Sequence, residues 1–224
     1  MKNMSKNILL LPWYMIQIFR QAKSFKTNPI IGNQTLNRLG LHAFRVVVSH
    51  IIMKFKMFSL AFSIPKGLRK SYYEKGYIIL DKVLDKDIFD NIVNETYTEN
   101  SEIRECIQGN TLTQRIHLSK NNLTDTKGIQ NFLAQKNIVA LFKFTSGKNH
   151  RPLSHIQVIK NNYITGKHDP QKTLHRDTFH PTMKYWFFLQ DVGEDIAPFT
   201  YVEGSNRLTW KRLKWEYKKK YLYP

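Results

Sequence analysis

Cysteine is nearly absent from this chain: Cys106 is the only one in 224 residues. One thiol cannot build an internal disulfide framework, and paired-cysteine zinc sites are excluded with it. A reducing, cytoplasmic compartment fits that usage. Acidic residues are also scarce, 17 against 35 Lys and Arg, for a formal net charge of +18. The imbalance is uneven. Met1 to Lys75 holds thirteen basic residues and one acid, Glu74; Arg207 to Lys220 holds seven and one acid, Glu216. Such a charge favours an anionic partner: nucleic acid, an acidic membrane surface or an anionic small molecule. No helix-turn-helix or RNA-binding signature is present, which disfavours nucleic acid. No internal repeat is present either. What the chain does have is 42% hydrophobic and 13% aromatic residues. That is too much for disorder and enough for one core with a small appendage.

The basic amino-terminal part carries two apolar runs. Ile8 to Phe19 is about twelve residues, short of the roughly 20 a bilayer-spanning helix needs, and Pro12 sits inside it. The stretch after it is a poor signal-peptide cleavage region. Leu41 to Ile64 has apolar residues at helical spacing, interrupted by Arg45, His50, Lys54 and Lys56. It reads as a basic amphipathic helix with an aromatic, Met-rich face. Two roles fit: packing on the protein's own core, or peripheral attachment to an anionic membrane surface. Lys54 and Lys56 argue against spanning. Pro65 and Gly67 end the segment.

A different texture begins near residue 68. A short helix closes on Tyr72 and Tyr73 and breaks at Gly76. Residues 77–84 read as a strand, and a helix capped by Asp85 follows, with Ile88, Phe89, Ile92 and Val93 on one face. Gly128 to Gly147 reads as a helix. Arg151–Asn161, Lys184–Val192 and Pro198–Ser205 read as strands, and Arg207–Lys220 as a basic helix. Short strands separated by loops fit a β-sandwich or barrel rather than an alternating α/β sheet.

Between the first and second of those strands lies "HRDTFH", residues 175–180. On extended backbone, residues i and i+2 point the same way. His175 and Asp177 then present an imidazole and a carboxylate side by side. Those are suitable ligands for Fe(II), and one further histidine would complete the facial triad of non-haem iron oxygenases. By spacing alone, the same residues also fit an ordinary polar loop.

The string "TLHRDTFHPTMKYWFFLQDV", with "APFTYVEGSNRLTWKRLKWEY" after it, resembles the phytanoyl-CoA dioxygenase family. "YYEKGYIILDKVLDKDIFDNI" is similar to that family's start. The resemblance runs from about Leu68 to Tyr217 and is most specific in the last fifty residues. It implies an α+β fold: a partial double-stranded β-helix (jelly roll) with flanking helices, here preceded by the basic amphipathic segment. Residues 1–67 form the leader and 68–224 the incomplete oxygenase domain. It implies Fe(II) held by His175 and Asp177, and 2-oxoglutarate as co-substrate, decarboxylated to succinate while a C–H bond is hydroxylated. It places Gln157, Lys184 and Trp186 as candidates to line the 2-oxoglutarate pocket, with His180 structural or substrate-facing.

The chain departs from the family pattern. The family takes a third histidine ligand several strands downstream and an arginine about ten residues after it. Here all eight histidines lie at or before position 180. The expectation is a chain lacking the distal part of the site. Three outcomes then stand open: a second chain supplies the missing strands, His180, His155 or His168 serves as third ligand, or catalysis is lost.

Overall fold

The computed structural model describes residues 9–20, 27–96, 102–118, 126–150, 152–166, 168–196 and 198–222. Within them the chain is α+β. The order is α1 (Leu11–Ile18), α2 (Gln34–Arg38), α3 (Leu41–Leu60), α4 (Lys66–Lys75), α5 (Lys86–Glu95), β1 (Ile103–Gln108), β2 (Thr111–His117), α6 (Lys127–Ala134), α7 (Lys136–Ser146), β3 (His155–Lys160) and α8 (Trp210–Leu222). Short 3-10 turns occupy Ala61–Ser63, Pro170–Lys172 and Glu194–Ile196. The strands make one antiparallel sheet in the order β1-β2-β3.

The helix read over Leu41–Ile64 forms as α3 and its 3-10 tail. One side of it is committed to the protein itself: Met57, Ala61 and Ile64 pack with Tyr72 of α4 and with Leu141 and Phe144 of α7. Gly76, with φ of 92°, ends α4. A Cβ at Gly76 would collide with the Tyr201 hydroxyl and the Asn206 side chain, so both the left-handed turn and the close approach require glycine. The helix read over Gly128–Gly147 is two helices, broken where Gln135 adopts φ −57° and ψ 131°. A second small core joins Ile92 of α5 to Ile129 of α6, with Leu84, Leu118, Phe132, Leu133 and Leu189 against it. Asp85 stands at the N-cap of α5 without a side-chain capping hydrogen bond. The end of α5 caps its neighbour instead: the Glu95 carboxylate accepts from the backbone N–H groups of Gly128 (2.7 Å) and Ile129 (3.0 Å) at the start of α6.

Three expected strands do not form. Residues 77–84, 184–192 and 198–205 have no ladder partner among the described residues. Side chains of 184–192 nevertheless alternate as a strand's would. Met183 packs on the first core and Leu189 on the second. Between them the Tyr185 hydroxyl donates to Phe142 O at 3.0 Å and meets Thr145 Oγ1 at 2.8 Å, and Phe187 packs on Phe132 and Phe89. Lys184, Trp186 and Phe188 point the other way, to solvent. The segment is a strap laid across α7 and α6. It is held by side chains because helices offer it no strand edge. β3 falls where a strand is expected. The β1–β2 hairpin, turning at Gly109 and Asn110, lies in a stretch that gave no clear signal.

Candidate functional site

The loop that carries HRDTFH is fixed at both ends. At its start Asp169 is buried, and its Oδ1 accepts from Gln171 N at 2.8 Å. The backbone there packs so closely on the hairpin turn that a Cβ on Gly109 would lie 2.5 Å from Asp169 Cα. Lys172 Nζ adds a hydrogen bond to Asn110 Oδ1 (3.1 Å). Beyond the motif, the strap takes over through Met183 and Tyr185.

Between these anchors the side chains alternate. Arg176 turns inward and meets Glu216 of α8, whose carboxylate is fully buried, at 2.5 Å. Arg212, one turn earlier on α8, holds the other Glu216 oxygen at 2.8 Å. His42 of α3 stands 3.9 Å from Glu216 and 3.2 Å from Arg176. Burial pushes the Glu216 carboxyl up, but the His42 ring and the Arg176 and Arg212 guanidiniums outweigh it and hold the group below its ordinary value. Burial lowers Arg176, with Glu216 pulling the other way. Phe179 is buried under the Arg45 guanidinium, 4.2 Å from its ring centre. Arg45 does not interrupt α3's apolar side as a solvated charge. It is buried, and its Nε and Nη2 donate to Ile18 O and Arg20 O at the end of α1. His180 is buried edge-on to Phe179.

His175 and Asp177 point outward together. His175 Nδ1 lies 2.6 Å from Thr173 O and donates to it, which leaves Nε2 as the nitrogen turned to its neighbours. Nε2 faces Asp177 Oδ1 at 3.5 Å. A ring nitrogen facing a carboxylate oxygen holds either a proton or a cation between them. Two donors bound side by side to one divalent ion at about 2.1 Å would be about 3 Å apart, so a small rotation suffices to place an ion there. Lys184 Nζ takes the second oxygen, Asp177 Oδ2, at 2.7 Å. Its charge competes with a cation for the same carboxylate.

Of the expected site residues, the structure brings together His175, Asp177 and Lys184. Trp186 lies on the outer side of the strap, its ring 5.7 Å from Phe199. Gln157 sits on β3, where its Oε1 accepts from Arg115 Nε at 2.9 Å and faces His155 Nε2 at 3.2 Å. Among the described residues, which include all eight histidines, no group of three His, Cys, Asp or Glu gathers at a metal-binding distance. Of the residues that hold the loop in place, Arg176 and Phe179 carried no reading in the sequence, Arg45 was read as an interruption of the apolar helix and Glu216 as the lone acid of a basic one. Two signals pointed to Arg176 and Glu216. The residue between two outward-facing neighbours must face inward, and a lone acid in the basic helix Arg207–Lys220 marks a pairing site.

No family model, curated protein or solved structure matches the chain.

Proposed function

We propose that His175 and Asp177 are the two-donor half of a mononuclear iron site, in an Fe(II)/2-oxoglutarate-dependent oxygenase domain resembling the phytanoyl-CoA dioxygenase family. One observation carries this reading: a histidine whose Nδ1 is held by a backbone carbonyl turns its Nε2 toward the carboxylate two residues on along an anchored loop. Second-sphere control of that kind orients metal-binding imidazoles. The described residues supply two of the three protein donors a facial triad needs. In this reading the third donor comes from a second chain, and the 224-residue chain alone is not a catalyst. When bound, the ion would supply the site for oxygen and 2-oxoglutarate; the chain's own residues hold and orient two of its ligands.

The finer fold belongs to the same reading. The three-stranded sheet is one part of a jelly roll whose remaining strands come with the partner. Ile103, Ile107, Leu112, Ile116, Ile156 and Val158 share one face of the sheet by register. Ile103, Ile107 and Val158 on that face are about half exposed, and every residue of β1 is exposed. An open edge and a face on which Ile103, Ile107 and Val158 stay half exposed, though Leu112 is buried, fit a sheet awaiting a second layer.

The test is an anaerobic titration with Fe(II) and 2-oxoglutarate, read by the visible charge-transfer band of the iron–keto-acid chelate. The wild-type chain gives a weak, saturable band, and His175→Ala and Asp177→Ala abolish it. Lys184→Met removes a competing charge and tightens Fe(II) binding about fivefold, the effect of roughly 1 kcal/mol of Coulomb repulsion at a solvated site. No band from a chain shown by circular dichroism to be folded would sink the proposal. Oxygen uptake by the isolated chain that depends on 2-oxoglutarate would refute the donor in trans.

A further inference from the structure

The exposed side of α3 is not a random scatter of apolar residues. Phe44, Ile51, Phe55, Phe58 and Phe62 are all exposed, Phe55, Phe58 and Phe62 by 74, 69 and 82%. At 100° per residue they fall within an arc of about 60°. Val46 and Met57, which are buried, lie on the other side of the helix. The stripe continues onto α1. The Phe19 and Phe44 rings meet edge to face at 6.1 Å, and Trp13, Met15 and Ile16 of α1 are exposed too. Contiguous exposed apolar surface of this kind marks an interaction site rather than ordinary surface.

The charge around the stripe identifies the occupant. Lys54 and Lys56 are exposed on opposite sides of the stripe, Lys54 about 70° and Lys56 about 130° from its centre at 100° per residue, and long basic side chains can reach out to headgroups while their stems cover apolar surface. Arg20 stands over the Trp13 ring at 5.5 Å, at the edge of the same patch. The first 73 residues contain no Asp or Glu. A protein partner would need a surface both apolar and acidic to match, whereas a bilayer rich in anionic lipid offers both properties at every point.

We infer that α1 and α3 dock the chain in plane on an anionic lipid surface, with the Phe stripe in the acyl boundary and Lys54 and Lys56 at the headgroups. This is independent of the iron reading. The segment Leu41–Ser63 is long and apolar enough to cross a membrane by length and composition. Crossing would strip α3 from its own core, because Val46, Met57 and Ala61 are buried against the rest of the chain. In-plane docking leaves those contacts intact.

Co-sedimentation of the full chain with vesicles tests this. Phosphatidylcholine vesicles containing phosphatidylserine are compared with phosphatidylcholine alone. The chain sediments with the anionic vesicles and is released by salt, as surface charge is screened over about 10 Å at 0.1 M. Lys54→Glu with Lys56→Glu weakens binding by more than the about fivefold per lysine expected of neutralisation. Phe55→Ser with Phe58→Ser abolishes binding while leaving the circular dichroism spectrum unchanged, since both rings are on the outside. Three results would overturn the inference: equal binding to both vesicle types, binding that resists an alkaline carbonate wash as a spanning helix does, or a dimer in sedimentation equilibrium that Phe55→Ser with Phe58→Ser dissolves without any vesicle binding.

Discussion

Glu216 is a residue whose environment decides what it does. Its carboxylate is fully buried between Arg176 and Arg212, and it links the HRDTFH loop to α8. Breaking a buried pair from one side leaves uncompensated charge, at a cost of roughly 3 kcal/mol. Glu216→Gln is therefore expected to destabilise the fold by about that amount in urea titration, and to free the loop that presents His175 and Asp177. The pH dependence has a definite sign. The folded carboxyl titrates below its ordinary value of 4.5. In the window between the two values the unfolded chain binds more protons, so stability falls as pH falls. The contribution is whole above the ordinary value and is lost as pH drops through the folded one. Glu216→Gln should flatten this acid limb; a limb unchanged in the variant would show that other groups carry it.

At the scale of elements, capping links α5 to α6. Glu95 spends both carboxylate oxygens on the first N–H groups of α6, where negative charge also meets the helix dipole favourably. Glu95→Ala should cost about 1 to 2 kcal/mol of unfolding free energy, and equal stability of variant and wild type would show the cap to be decorative. Sequence pattern revealed most helices because their signals are local: the run of α3, Gly76 after α4 and Gly147 after α7. The hairpin was hidden by its own spacing. Ile103 and Ile107 are four apart, as are Leu112 and Ile116, with Glu105 and Gln114 in between, a pattern that fits a helix turn as well as a strand. The apolar run 184–192 was legible as extended chain, but extended chain fixes only which side chains share a face. Whether the backbone finds a ladder depends on distant neighbours, and here Tyr185 and Phe187 found helices. The same limit applied at the site. The i, i+2 rule paired His175 with Asp177, whereas the partner of Arg176 lies 40 residues away on α8 and could be inferred only as an unmatched acid.

At the scale of the whole molecule, the main feature is how much apolar surface stays uncovered. Among the described residues, large exposed hydrophobics outnumber the buried core residues, and they concentrate on α1, α3, the sheet and the outer side of the strap. Two small cores, one around Phe144 and one around Ile92, hold only eight of the fifteen buried hydrophobic residues among those described. A protein arranged in this way should be marginally stable alone and gain stability from whatever covers it, because binding only the folded state adds a term that grows with ligand excess. The isolated chain is accordingly expected to bind a hydrophobic dye and to unfold over a broad range in buffer. Anionic vesicles should suppress the dye signal and raise the thermal midpoint, and the Phe55→Ser, Phe58→Ser variant should lose the vesicle effect alone. A sharp, two-state transition of the free monomer with stability near 10 kcal/mol, at the centre of the range for self-sufficient domains, would mean that the exposed faces need no cover, and both the partner strands and the lipid surface would then lose their energetic rationale.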